Sequence, residues 1–312
     1  MSTDDTEYDV IMIGAGPAAL TAAIYTSREN IKTLLIEKGV IGGLAAITDQ
    51  IDNYPGFADG VEGLKLSEQL RKQAERFGAK IELDEVIGIE DHGGIKIVKT
   101  HSGDLKTKAI LIATGSDWVK LGVPGEAEMY GRGVHYCATC DGAFYNDKRI
   151  VTVGAGNSAA QESLFLTRFA SHIDVLIRGE KWKASDVLID EINKNPKIDV
   201  HFNITTEEII TKDNKVVKVR GHDKTTGKDV FFETDGVFPF VGLKPNTQFL
   251  KGSHILCDDQ GFVLSNLDLE TNEKGIFVAG DVRSGSTMQI ASAAGEGATA
   301  ALHIREYLEH SA

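Results

Sequence analysis

Two stretches of the chain carry the same sequence of apolar and polar positions. In "YDVIMIGAGPAALTAAIYTSRENIKTLLIEKG" an apolar run from Val10 to Ile13 meets glycines, then an Ala-rich helical stretch, then a second apolar run ending at Glu37. This pattern predicts strand, turn, helix and strand in succession. From Lys148, "KRIVTVGAGNSAAQESLFLTRFASHIDVLIRGEK" repeats it, with Ile150 to Val153 as the first strand and Ile173 to Ile177 as the second. The two copies lie too far apart for a solenoid, so two similar nucleotide-binding-like domains are expected. Between them "IDNYPGFADG" is turn-rich, and "LKLSEQLRKQAERFGAK" has the apolar spacing and terminal Gly78 of an amphipathic helix. "IGIEDHGGIKIVKT" and "KAILIATG" read as strands, and "KVVKVRGHDKTTGKDVFFETDGVFPFVG" as a hairpin around Gly227. The end, "GIFVAGDV" followed by "MQIASAAGEGATAALHIREYLEH", predicts a strand, an Asp-bearing loop and a closing helix.

A length of 312 residues suits two domains. At 42% hydrophobic and 25% charged the composition is that of a soluble globular protein, and no apolar run approaches the ~18 residues a membrane span needs. The polar, acidic start "MSTDDTEYDV" lacks the basic and apolar regions of a secretory signal, which leads us to expect a cytoplasmic protein. A net charge of −13 repels nucleic acid backbones and argues against such a partner.

Gly14-x-Gly16-x-x-Ala19 has the spacing of a dinucleotide turn. The first glycine allows the tight turn, the second lets backbone approach a diphosphate, and the small third residue lets helix pack on strand. Glu37, at the end of the next strand, is placed to accept ribose hydroxyls. Gly154-x-Gly156-x-x-Ala159 repeats the glycines, but its strand ends in Arg178, a cation suited to a 2′-phosphate and unable to accept from a ribose. Asp281, just past a buried strand, is a candidate acceptor for a ribityl or ribose hydroxyl.

The chain has three cysteines, too few for a disulfide scaffold. Cys137 and Cys140 stand three apart with Asp141 next to them. They form a redox couple, two inert thiols, or part of a zinc site with His135 and Cys257. In the redox reading Asp141 shuttles a proton. Cys257, within "SHILCDDQG", is read as a structural thiol.

From Tyr8 to Leu308 the chain resembles the low-molecular-weight thioredoxin reductases, a family of flavoprotein disulfide reductases. The matching segments run in order: "IGAGPAALTAA", "IEK", "GG" followed by "DNYPGF", "LIATGS", "YCATCDGAF", "VGAGNSAAQESLFLTRFA", "VGLKPNT", "VAGDV" and "QIASAAGEGATAA". The resemblance implies an α/β fold of two Rossmann-like, three-layer ββα domains, the second inserted in the first. An FAD domain would comprise 1–116 and 245–312, and an NAD(P)H domain carrying the CxxC pair would comprise 117–244. It implies FAD contacts from Gly14, Gly16, Pro17, Ala18, Ala19, Glu37, Lys38, Gly42, Gly43, Leu44, Asn53, Ala113, Thr114, Gly115, Gly280, Asp281, Gln289 and Ile290. Nicotinamide contacts would come from Gly154, Gly156, Asn157, Ser158, Arg178 and Lys183. Electrons would pass from NADPH or NADH through FAD to the Cys137–Cys140 disulfide. Cys140 would face the flavin, Cys137 would attack thioredoxin or a thioredoxin-like protein, and Asp141 would act as acid and base in a homodimeric enzyme.

The chain departs from this family at three places. "IRGEKWK" has Ile177 and Gly179 where the family shows His and Arg, leaving Arg178 and Lys183. Met288 stands where an Arg precedes Gln289, and "GGLAAITDQ" lacks the usual Gln after the paired glycines. These losses weaken the expected preference for NADPH. They leave room for a related reductase using ferredoxin or another protein disulfide, and for a non-catalytic FAD-binding redox sensor.

Overall fold

The computed structural model describes residues 8–48 and 50–310, so the acidic start at residues 1–7 lies outside it. The chain opens with β1 (Tyr8–Ile13), α1 (Pro17–Arg28), β2 (Thr33–Glu37), the short α2 (Gly43–Ala46), α3 (Gly63–Arg76) and β3 (Lys80–Leu83). Then come β4 (Val86–Asp91), β5 (Lys96–Thr100), β6 (Asp104–Ile112) and β7 (Ser116–Trp118). Next follow α4 (Ala138–Asp141), β8 (Arg149–Val153), α5 (Asn157–Leu166), β9 (His172–Ile177), α6 (Asp186–Lys194) and β10 (Ile198–Phe202). The strands β11 (Ile204–Lys212), β12 (Lys215–Asp223), β13 (Lys228–Glu233) and β14 (Gly236–Pro239) complete the insertion, and β15 (Leu243–Pro245), β16 (Ile276–Val278) and α7 (Ile290–His310) end the chain. Contacts divide it into one unit that runs to Asp117 and resumes at Lys244, and a second unit, Trp118–Leu243. These crossings each differ by one residue from the expected boundaries at 116/117 and 244/245.

In the first unit the sheet order is β3-β2-β1-β6-β5-β4. The central strands are parallel, and β6 is shared between two partners on one edge. Its first half pairs antiparallel with β5, Lys96 opposite Thr107, and its second half pairs parallel with β16, Ile276 opposite Ile110. One face of β1, with Val10 and Met12, packs against α1, α3 and α7, while Ile11 and Ile13 on the other face meet Val86, Ile89 and Val98 of the β4–β5 meander. Strands covered on both sides read as continuous apolar runs, which is why "VIMI" and "AILI" show no alternation.

The second unit repeats this layering. Its parallel sheet has the order β10-β9-β8-β14, and a separate antiparallel sheet has the order β11-β12-β13. Ile150, Ile173, Val175 and Phe238 face α5 and α6. Val151, Val153 and Leu176 face Ile204, Ile209 and Val219 of the antiparallel sheet. The sequence reading found the β12–β13 hairpin but not β11. The β11–β12 turn is Asp213-Asn214, both residues with φ near the left-handed region at 50° and 58°, a two-residue hairpin signal that short polar side chains tolerate. Among the described residues no helix is long and apolar enough to cross a membrane.

Candidate active site

At the first glycine turn, Gly14 has φ 101°. A Cβ there would lie 2.5 Å from the Ala113 carbonyl oxygen, so only glycine lets the ends of β1 and β6 meet. Gly16 is different: nothing lies within 4 Å of where its Cβ would be, so its backbone fronts open space. Pro17 takes the first helical position of α1, where a missing N–H costs nothing. Ala18 and Ala19 are buried, and Gly297 of α7 abuts the Ala18 carbonyl, which lets the two helices touch backbone to backbone. Gly42 donates to the Ala15 carbonyl at 2.8 Å, bringing the Gly42-Gly43 loop that begins α2, with Leu44, beside the turn.

The Glu37 carboxylate, at the end of β2, accepts the N–H groups of Ala15 and Gly39, each at 2.8 Å. These bonds aim it at the turn and leave further lone pairs free. Beside it a cavity is lined by Gly14, Glu37, Lys38, Val86, Thr114 and Asn246, among others. Asn246 locks the Ala113-Thr114-Gly115 turn: its carbonyl accepts from Thr114 Oγ1 at 2.7 Å and its Nδ2 donates to the Thr114 carbonyl at 3.1 Å. From the other end of the chain, Gln289 Oε1 accepts from Asn53 Nδ2 at 3.1 Å, one residue before Ile290 begins α7. Gly280 donates to Glu296 Oε2 at 2.8 Å, and Glu296 also holds the Arg283 guanidinium. Burial, and after it the negative charge of Glu296, push the Asp281 carboxyl up to about 6 against an opposing hydrogen bond from Ser286. The sequence reading missed Asn246 and Glu296. Both lie inside quoted segments, but nothing in their spacing marks what they touch.

The second turn copies the first. Gly154 has φ 153° and abuts the Phe240 carbonyl, while Gly156, like Gly16, fronts open space. Lys183 N–H donates to the Ala155 carbonyl at 2.8 Å, the counterpart of the Gly42 bond to Ala15. Asn157 and Ser158 open α5, and Asn157 Oδ1 accepts from Ser185 N–H at 2.8 Å. Arg178 and Lys183 are exposed, and neither side chain makes an ion pair among the described residues. Lys224, at the β12–β13 turn, places its ammonium 3.3 Å from the Arg178 carbonyl. Sequence reading had no means of finding it, since 46 residues separate the pair.

Cys137 and Cys140 are joined as a disulfide, with Cα atoms 5.3 Å apart, at the start of α4. Both are half-buried. Cys137 Sγ accepts the Cys140 N–H at 3.2 Å. Asp141 donates its N–H to the Cys137 carbonyl, and its carboxylate Oδ2 lies 3.4 Å from Nδ1 of His135. His135 is buried, stacked on Phe238 and edge-on to Tyr145. Burial, and then the Asp141 charge, hold the Tyr145 phenol well above its ordinary value, so it stays protonated. In this geometry the two sulfurs bind each other and His135 turns to Asp141. Cys257 requires a correction: it is exposed, not a buried structural thiol. Of its apolar neighbours, Ile255 is buried and Leu256 is exposed.

A further cluster, His172, Asp174 and Asp199, brings potential ligand atoms together on β9 and β10. Arg149 already donates to Asp174 Oδ2 at 3.3 Å and His201 meets Oδ1 at 2.8 Å, so the cluster is an ion-pair network.

Two dinucleotide-type frames and a redox-active CxxC disulfide define a nucleotide-dependent disulfide oxidoreductase. Residues 8–297 match the pyridine nucleotide-disulphide oxidoreductase family. The chain is 42% identical over 307 residues to thioredoxin reductase of Bacillus subtilis, covering 98% of this chain and 96% of the relative. It is likewise 42% identical to thioredoxin reductase of Listeria innocua, over 99% of this chain and 96% of that one. The crystal structure of thioredoxin reductase from Streptococcus pyogenes superposes with a TM-score of 0.93 at 38% identity, covering 97% of this chain and 98% of that one. The chain thus belongs to the pyridine nucleotide-disulphide oxidoreductases and, within them, to the thioredoxin reductase family. It is an oxidoreductase, and its family implies FAD and a nicotinamide nucleotide.

Proposed function

We propose that the chain reduces thioredoxin or a thioredoxin-like protein with electrons from NAD(P)H, as a cytoplasmic homodimer that maintains thiol balance. The observation that carries this reading is the Cys137–Cys140 disulfide beside Asp141. The open turn at Gly16 fits a diphosphate, since its unfilled space and the N-terminus of α1 suit an anion. Glu37 would accept the ribose hydroxyls of FAD and Asp281 a ribityl hydroxyl, and Gly42, Asn53, Thr114 and Gln289 would supply further contacts. FAD supplies the conversion of a hydride into an electron pair deliverable to a disulfide.

Once the disulfide is reduced, the chain's own groups carry out the exchange. The N–H of Cys140 stabilises a thiolate on Cys137 by a charge-assisted bond. That thiolate attacks one sulfur of the partner disulfide, forming a mixed disulfide and releasing the other sulfur as a thiolate. Cys140 then attacks Cys137, re-forming the internal disulfide and expelling the partner's second thiolate. Asp141, held by His135, takes the proton from Cys140 and returns it to a departing sulfur.

The test is anaerobic titration of FAD-loaded protein with NADPH, NADH and a reduced ferredoxin system, followed by addition of oxidised thioredoxin. We expect a nicotinamide to bleach the flavin and thioredoxin to restore the colour over many cycles. Bleaching by ferredoxin alone would replace the donor. Reduction without repeated turnover would identify a sensor instead of a reductase.

A further inference from the structure

At the second glycine turn, Arg178 follows the end of β9 and the next residue, Gly179, carries no side chain. The fold brings another cation to that spot. Lys224 N–H donates to the Asn203 carbonyl at 3.0 Å, and Asn203 N–H donates to the Gly179 carbonyl at 2.9 Å. These two backbone bonds tie the β12–β13 turn to the segment leaving β9. From there Lys224 Nζ reaches the Arg178 carbonyl at 3.3 Å, using one of the ammonium's three donors.

The space beside it is free. A Cβ on Gly179 would have no neighbour nearer than the Lys181 carbonyl, at 3.9 Å. The acid that precedes Lys224 is occupied elsewhere, since Asp223 accepts from Thr225 N–H at 2.8 Å and from Thr226 Oγ1 at 2.9 Å. Arg178, Lys183 and Lys224 are all exposed, and no carboxylate pairs with any of them among the described residues. In a chain of net charge −13, Arg178 and Lys224 meet at one strand tip and Lys183 follows in the loop beyond it, where the one neighbouring acid, Glu180, pairs with none of them among the described residues, so the tip offers cations to an anion.

We propose that Lys224 determines nucleotide choice by contributing, with Arg178 and Lys183, to binding the 2′-phosphate of NADPH. This rests on the second turn being the nicotinamide nucleotide site. The tip of the second strand in such a frame is where the ribose 2′ position lies. A phosphate with about two negative charges is bound by several cations, each acting through charge-assisted bonds. The lysine adds a third charge where Gly179 offers none, so NADPH is favoured over NADH by more than two cations alone would give.

Calorimetry on the FAD-loaded full chain separates the possibilities, with adenosine 2′,5′-bisphosphate and AMP as probes. The unaltered protein should bind the bisphosphate at least tenfold more tightly than AMP. Lys224→Ala should reduce that ratio about tenfold and leave AMP affinity unchanged, and Lys224→Arg should restore most of it. The KM for NADPH should rise in parallel, while that for NADH stays within about twofold. A ratio unchanged by Lys224→Ala would overturn the assignment while leaving the nucleotide site intact. Failure of the unaltered protein to bind either probe would instead refute the reading of the second turn itself.

Discussion

The two glycine turns share one backbone frame and differ in the charge at its edge. In both, the first glycine abuts a carbonyl of the neighbouring strand segment, Ala113 in one and Phe240 in the other. In both, the carbonyl of the residue between the glycines accepts an N–H at 2.8 Å from the loop after the second strand, from Gly42 and from Lys183. At the strand tip the likeness ends. Glu37 is drawn into the first turn by two backbone donors, whereas Arg178 is exposed beside Lys224. On the proposed reading, the glycines mark where a dinucleotide backbone would be cradled, and the strand-tip charge would select which dinucleotide enters.

The sharpest way to break this comparison is through the thiols, which only the second unit carries. Cys137→Ser should lower thioredoxin turnover at least about a thousandfold, since the attacking sulfur is gone. Flavin bleaching by the nicotinamide should persist in stopped-flow absorbance, and full turnover would remove the dithiol mechanism. Next in size is Gly14→Ala, which must take a left-handed φ and meet the Ala113 carbonyl. It should destabilise the chain by about 4 kcal/mol in urea titration, and a neutral result would show that the frame tolerates a side chain there.

Asp281 offers a pH test confined to the first unit. Its carboxyl titrates at about 6 in the fold, above the ~3.9 of an unfolded chain. Its contribution is thus fully present below about pH 4 and is lost as pH rises through 6, by about 3 kcal/mol in the flavin-free protein. Asp281→Asn should flatten that part of the stability profile, and an unaltered slope would assign it to other groups. Gly16→Ala should leave folding untouched, as the space is open, yet weaken FAD binding about thirtyfold by filling the diphosphate cradle. The smallest expected effect is at the second strand tip. Arg178→Ala should raise the KM for NADPH about tenfold, or 1.4 kcal/mol, and that for NADH little. Equal changes would mean that Arg178 is only a solvated strand end.

Local spacing made the glycine turns, Glu37, the CxxC pair and the β12–β13 hairpin legible, because each lies within one short segment whose geometry the residue types dictate. Features built by distant chain segments were not. Asn53 meets Gln289 across 236 positions, and Lys224 reaches Arg178 only because Asn203 and Gly179 tie a hairpin to a strand end. Nothing in "GHDKTT" distinguishes that lysine from a solvated turn residue. His135 was visible only as a spare ligand, since its contact with Asp141 depends on how α4 closes over the aromatic pair. The helix α6 has sequence signals that the periodicity alone does not reveal, Ser185 before it and Asp186 in its first turn, and Cys257 is exposed, a thiol's burial depending on distant packing that its own segment does not encode.

The first unit is sewn together from both ends of the chain, and this reverses the usual order of assembly during synthesis. A ribosome releases Tyr8–Ile112 early, but β6 still lacks β16 along its second half and α1 still lacks α7. The inserted unit, Trp118–Leu243, is continuous and can close while its flanks wait. The segment before the insert is completed after it, with apolar faces uncovered until α7 emerges. A chain stopped before Ile290 would therefore carry a continuous insert on a frame whose β6 and α1 lack their C-terminal partners, so the damage would fall on the residues that precede the insert.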